Sequence, residues 1–299
     1  MTASSANHRS GIGPLLMLSA SIIFTALNLI IKILGPHFRI WDIAFYRFLG
    51  GMILIVLFFR RQKNPFRGNK IRLLILRGLV GSISFLSLVK AIHLLPISSA
   101  LVYFYTFPVF AAVFAWILYR EKMSKGALLC IATVFAGAII FFNFKLQGGM
   151  AGQLLGITSG LFAGMTVTLI RRLKECNDAV IIYLYFCTVG LLVSLPMYLQ
   201  APAVPANPRE WLLCAGVVLT SLTAQIAMNQ GFAYCRGWEG GLFMTSEAVF
   251  TALIGIVFFG DPATWRFWTG GLMIVGSGVV LNLHNHRSGQ GLTITGALK

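Results

Sequence analysis

Phe107-Pro108-Val109-Phe110-Ala111-Ala112 returns 140 positions later as Glu247-Ala248-Val249-Phe250-Thr251-Ala252, with three of the six residues unchanged. The same offset sets Tyr119-Arg120-Glu121-Lys122-Met123-Ser124 against Phe259-Gly260-Asp261-Pro262-Ala263-Thr264, matching an acid and, three residues on, a hydroxyl. At an offset of 139, Gly13-Pro14-Leu15-Leu16 pairs with Gly152-Gln153-Leu154-Leu155. The chain reads as one unit written twice.

Both copies are too apolar for water. Hydrophobic residues make up 57% of the 299 positions and charged residues 11%, against roughly 45–50% and about 25% in soluble domains. A soluble enzyme is excluded, because there is too little polar surface to cover a globule. Apolar runs between polar turns place spans near 12–34, 40–59, 71–90, 97–119, 126–143, 151–170, 179–199, 211–231, 240–259 and 266–284. Each is close to the ~20 residues that cross a bilayer core as a helix. The expected fold is an all-α integral membrane protein of ten transmembrane helices, built as five-helix repeats over 12–143 and 151–284. The run behind Arg9 is about 20 residues rather than the 7–15 of a signal peptide and reads as a retained span.

A net charge of +16 is what a nucleic-acid binder would carry, but its placement gives another reason for it. Of the 24 Lys and Arg, 16 fall in or beside segments on one side, six on the other, and Arg47 and Arg77 lie inside spans. Positive residues concentrate in cytoplasmic loops, so both termini are expected in the cytoplasm, in a multi-pass protein of a bacterial inner membrane with no nucleic-acid partner. Five spans per unit is an odd number, so the second unit must enter the bilayer from the opposite side and the repeats are expected to be inverted. The loops agree: Arg60–Arg72 holds six positive charges, while its counterpart 200–210 holds one.

Trp41-Asp42-Ile43-Ala44-Phe45-Tyr46-Arg47-Phe48, the Phe107-Pro108-Val109-Phe110 run leading to Glu121, and the Gly-rich ends of both halves resemble the two EamA-type repeats of the drug/metabolite transporter superfamily. The resemblance extends over roughly 12–284 and implies a basket of spans 1–4 and 6–9 around a central cavity, with spans 5 and 10 at the periphery. Arg47 matches the family's span-2 arginine. Asp261 stands where the second repeat usually has Glu, Ala248 where it has Pro, and the Gly that follows is displaced to Gly276.

Charges inside spans cost about 2.5–3.5 kcal/mol each at a helix centre, so they face a cavity or a partner. Glu247, near the middle of span 9 and too short to reach an interface, is the sharpest candidate: a proton-coupling or cation-binding carboxylate, or else a structural partner of Arg77. Arg77 shares a helical face with Gly81, Ser84, Leu88 and Ala91. It either lines the cavity or, about 9 Å deep at 1.5 Å per residue, snorkels to the nearer surface. Arg47 either draws anions into the cavity or pairs with Asp42. Ser221, Gln225 and Asn229 fall at i, i+4, i+8 and form one polar stripe on span 8, suited to recognising a zwitterion or heterocycle, or to bonding between helices. Tyr105 and Tyr103 supply aromatic surface, and Pro108 a kink. Gly152, Gly156, Gly160 and Gly164 repeat every four residues along span 6, a strip for close packing that slides during gating or else a face that lines the substrate, with Ser21 and Thr25 among its span-1 counterparts.

No Gly-Lys dipeptide occurs, so no P-loop cradles a nucleotide. His284 and His286 have no ligand-type neighbour, and five cysteines without a CxxC read as core residues, so neither metal nor cofactor is expected. The expected function is secondary active transport of a small organic metabolite (an amino acid, a nitrogenous metabolite or a vitamin-like heterocycle) by alternating access. Proton or substrate counter-flow would drive it, and the resemblance favours export. An uptake carrier or exchanger of the same family is the alternative, and an integral membrane enzyme the rival of another class.

Overall fold

The computed structural model describes residues 12–34, 37–59, 66–95, 97–120, 124–141, 149–259 and 264–287. Among these residues all regular structure is helical. The first half contains α1 (Ile12–Leu34), α2 (Ile40–Phe59), α3 (Ile71–Leu94), α4 (Ile97–Phe104), α5 (Phe107–Tyr119) and α6 (Lys125–Phe141). The second contains α7 (Met150–Lys174), α8 (Ala179–Gln200), α9 (Pro208–Gly231), α10 (Gly237–Met244), α11 (Ser246–Phe259) and α12 (Trp265–Arg287). Eight segments of the described residues are long and apolar enough to cross a membrane, α4 with α5 and α10 with α11 each counting as one, and the shorter α6 is also apolar. The chain is a multi-pass membrane protein.

The largest packings run between the halves. α1 lies along α9 and, reciprocally, α3 lies along α7; α2 pairs with α8 and α6 with α12. A hydrocarbon solvent gives no hydrophobic force between helices, so such contacts rest on close backbone approach and on polar groups. At the α6–α12 contact, a Cβ added to Gly270 would come within 2.6 Å of the Gly137 carbonyl oxygen. The outer faces of this pair present Leu128, Leu129, Trp268 and Leu272. Between the halves the core gathers Met17, Phe107, Ala111, Phe232, Phe243 and their neighbours, while Phe48, Tyr183 and Phe186 lock α2 to α8.

The sequence suggests that spans 4 and 9 are continuous over 97–119 and 240–259; both are broken. α4 stops at Phe104 and α5 resumes at Phe107, while α10 stops at Met244 and α11 resumes at Ser246. Tyr105 and Thr245 are 140 residues apart, so the breaks occupy one register of the repeat. Pro108 explains the first: it has no N–H for the preceding turn, and its ring clashes with the carbonyl four residues back, that of Phe104. Ala248 occupies the equivalent place in the second, so proline is not the common cause. What both share is a threonine bonding back to its own helix: Thr106 Oγ1 donates to Tyr103 O at 2.6 Å and Thr245 Oγ1 to Leu242 O at 2.6 Å. A hydroxyl that takes a backbone carbonyl competes with the helical ladder.

The glycine strip of α7 packs on the first break. A Cβ on Gly156 would meet Tyr103, one on Gly160 the Tyr103 carbonyl oxygen at 2.7 Å, and one on Gly164 the Phe107 carbonyl oxygen at 2.8 Å. Gly160→Ala is therefore expected to destabilise the protein by about 1–3 kcal/mol through overpacking. Gly276→Ala, where nothing lies within 4 Å of the new carbon, should be neutral or gain up to about 1 kcal/mol of helix propensity. Thermal unfolding of the purified variants checks the contrast.

Candidate functional site

α1 meets the second break as α7 meets the first, with hydroxyls in place of hydrogens. Ser21, the counterpart of Gly160 at offset 139, donates to Met17 O at 3.0 Å and reaches Phe243 O at 3.4 Å. Thr25, the counterpart of Gly164, reaches Glu247 O at 3.4 Å and Thr251 Oγ1 at 3.3 Å. One turn on, Asn28 Nδ2 donates to Glu247 Oε1 at 2.8 Å. Ser21, Thr25 and Asn28 form a polar stripe on α1, and Asn28 lies about 120–140° round the helix from exposed Leu15, Ile22 and Ile33, at ~100° per residue. Asn28 is nevertheless exposed and Glu247 half-buried, so their exposure marks a cleft rather than the lipid face. Glu247 is bonded to Asn28 and not to Arg77. Tyr105, buried at the first break, lies within electrostatic reach of this carboxylate.

The cleft has a closed end. α5 and α10 pack together, Phe107 and Pro108 against Gly241, whereas α4 and α11 show no comparable mutual packing among the described residues. Among the described residues the halves of the two broken helices therefore pack together at one end and lack such packing at the other.

Arg47 and Arg77 form a second layer, both held by α9. Arg47 Nε donates to Ser221 Oγ at 2.6 Å, and Tyr183 Oη lies 3.3 Å from the same hydroxyl. Arg77 Nη2 donates to Gln225 Oε1 at 3.2 Å. The guanidinium of Arg77 lies 4.0 Å over the Phe186 ring, and that of Arg47 lies 5.3 Å over Phe85. Arg77 does not snorkel. Its relative exposure is 1%, and its Nη1 lies 3.4 Å from where a Gly81 Cβ would stand, one turn further from the start of α3. The side chain thus runs toward the middle of the span.

The Asp42–Arg47 pairing considered from the sequence does not form. Asp42, fully buried, accepts from Arg39 Nε at 3.1 Å and Nη2 at 3.2 Å, and from the backbone of Arg39 at 2.8 Å and Ala203 at 3.3 Å. Arg39 also bonds the carbonyls of Ala201 and Met197, and Tyr46 bonds Ala203 O, so this cluster pins 201–203 to the start of α2. Asn229 turns to α8, donating to Ala179 O at 3.2 Å with its Oδ1 left without a partner. The structure therefore separates the sequence candidates into three sets: Glu247 and Tyr105 at the breaks, Arg47, Arg77 and Gln225 in the arginine layer, and Gly152, Gly156, Gly160, Gly164 and Pro108 at the packing seam. Asn28 had a legible signal in its i, i+4, i+7 spacing from Ser21 and Thr25; Tyr183 and Phe186 had none. Glu121 and Asp261, the acids matched between repeats, lie outside the described residues, as do the side chains of His284 and His286.

The sequence pattern of the EamA-like transporter family matches residues 11–143 and again 150–283. The pseudopaline exporter CntI of Pseudomonas aeruginosa is 26% identical over 280 residues, spanning 90% of this chain and 95% of that one. Human solute carrier family 35 member G1 is 25% identical over 286 residues, 90% of this chain and 78% of its own length. A riboflavin transporter of Vibrio cholerae is 23% identical over 60% of each chain. A solved crystal structure with 18% identity superposes with a TM-score of 0.74 over 96% of this chain and 99% of the other, a likeness of fold.

Asp42→Asn is expected to loosen the 201–203 connection, because one carboxylate now serves four donors, and a hydrogen bond to a charged group contributes about 1.5–3 kcal/mol. Trypsin should cut faster after Arg209 in this variant than in the parent, with Arg47 still bonded to Ser221.

Proposed function

Because the chain belongs to the EamA-like transporter family, whose relatives here are named as transporters rather than enzymes, we propose that it is a secondary active transporter of a small organic metabolite. It works by alternating access between two inverted five-helix repeats, 12–143 and 151–284, ten spans in all. The reciprocal packing of α1 on α9 and α3 on α7 supports this, since exchange of contacts between like elements is what a two-fold relation produces. With the arginines and lysines as placed, both termini lie in the cytoplasm of a bacterial cell, and α5 and α10 form the closed cytoplasmic end. α4 and α11, which lack such packing, then leave the cleft open on the outer side.

Glu247 is the coupling group. It stands at the break of span 9, fixed from the opposite half by Asn28, where it is both accessible and next to a backbone that must rearrange if the helix halves move. Protonation would remove the charge that Asn28 donates to and loosen α11 from α1. Cargo lies between the two breaks, with Gln225 and Tyr105 among the side chains around it. Export is the direction supported by the name of the Pseudomonas relative.

In proteoliposomes, Glu247→Gln should reduce pH-gradient-driven flux to background while sparing one-for-one exchange of cargo. Driven flux equal to the parent's would remove Glu247 from coupling.

A further inference from the structure

Two guanidinium groups are buried in the spans, both bonded to α9, and among the described residues neither is within ion-pair distance of a carboxylate. Ser221 and Gln225, which hold them, are one turn apart on α9, roughly 6 Å between β-carbons. The two cations interact electrostatically, which disfavours their proximity unless something negative lies between them. Arg77 is the more demanding: at 1% exposure its Nε and Nη1 have no hydrogen-bond partner. A buried donor left unmade costs its full desolvation, more for a charged group, and helices in hydrocarbon offer no water to substitute.

The surroundings define what would fit. Phe186 lies on the face of the Arg77 guanidinium, so a partner must approach in its plane, at the N–H edges, where a planar oxyanion is bound by a fork of donors. Gly81 presents no side chain of its own to the Nη1 edge, where a Cβ would stand 3.4 Å away. Phe85 and Phe48 close over Arg47 at 5.3 and 5.8 Å, and the hydroxyls of Ser221 and Tyr183 lie at its other edge. The charges embedded around the cleft and this layer, Arg47, Arg77 and Glu247, sum to one positive charge with Glu247 ionised, which a monoanion balances.

We propose that Arg77 and Arg47 bind the carboxylate of the cargo, making this a carrier of monocarboxylates or zwitterions rather than of cations or neutral heterocycles. The inference rests on the carrier reading and adds its substrate class. In the described state the arginine layer is shut, so the carboxylate reaches it when α3, α8 and α9 part, and it supplies the partner that Arg77 otherwise lacks.

The test uses the purified full-length protein and matched probes: L-phenylalanine and its amide, lactate and lactamide, nicotinate and nicotinamide, with inorganic phosphate alongside. In at least one pair the carboxylate should raise Tm while the amide does not. Arg77→Gln should abolish that difference, and Arg77→Lys, which keeps the charge but loses the fork, should weaken apparent affinity at least about tenfold. Arg209→Gln, in the exposed first turn of α9, should leave the difference unchanged. Gln225→Glu, which places a carboxylate where Arg77 already bonds, should raise Tm of the unliganded protein and remove the response to added carboxylate. Amides acting as well as acids, phosphate acting in place of every carboxylate, a preference that survives Arg77→Gln, or no shift with any probe would overturn the proposal. If proteoliposomes then show saturable flux without carboxylate preference, the substrate class falls and the carrier stands; absence of any flux would remove the carrier reading itself.

Discussion

A helix broken inside a bilayer leaves backbone groups that water cannot reach, and protein must meet them. In this chain the opposite half packs on both breaks, at Tyr105–Thr106 and Thr245; Thr106 itself takes the Tyr103 carbonyl at the first, and hydroxyls of the opposite half reach the second. α7 brings Gly160 and Gly164 against the carbonyls of Tyr103 and Phe107, and α1 brings Ser21 and Thr25 to those of Phe243 and Glu247. The carbonyls correspond at the repeat offset of 140. The halves are thus bound together at the breaks as well as along the intact helices that make the largest packings.

The two seams differ in a way that assigns them different work. The glycine seam is dry and tight, and an added carbon meets backbone. The hydroxyl seam continues into Asn28 and Glu247 and opens toward solvent. A duplicated unit has thus kept one joint for packing and turned the other into a polar one, while the arginine layer on α9 sits beside both. Arg47, Arg77 and Glu247 are the charges that topology does not explain, and each is positioned by a residue of the other half.

Much of this was legible before any coordinates. Composition and run length implied the membrane and the helices, and the 140-residue offset placed both breaks in one register without revealing them. Pro108 marked the first break, but the second depends on a hydroxyl bonding back at Thr245, which is indistinguishable in sequence from the many threonines that do the same inside intact helices, such as Thr168. The Asp42–Arg47 pairing failed for a reason sequence does supply: five residues apart, they are about 140° round a helix, whereas Arg39 lies three residues away and within reach. Arg77 stands six residues past Ile71, but that count does not fix the direction of a long side chain. Only the packing of Phe186 and the space at Gly81 show that it turns inward.

The central claim is that the ends of the broken helices move in opposition, one closing as the other opens. Spin labels at Leu101 and Thr251 would report on α4 and α11, and labels at Val113 and Tyr234 on the end where α5 and α10 meet. Distances measured by electron–electron double resonance in proteoliposomes, with and without an imposed pH gradient, should change in opposite directions: the first pair shortening as the second lengthens. Both pairs moving in the same direction, or neither moving, would contradict alternating access about these breaks.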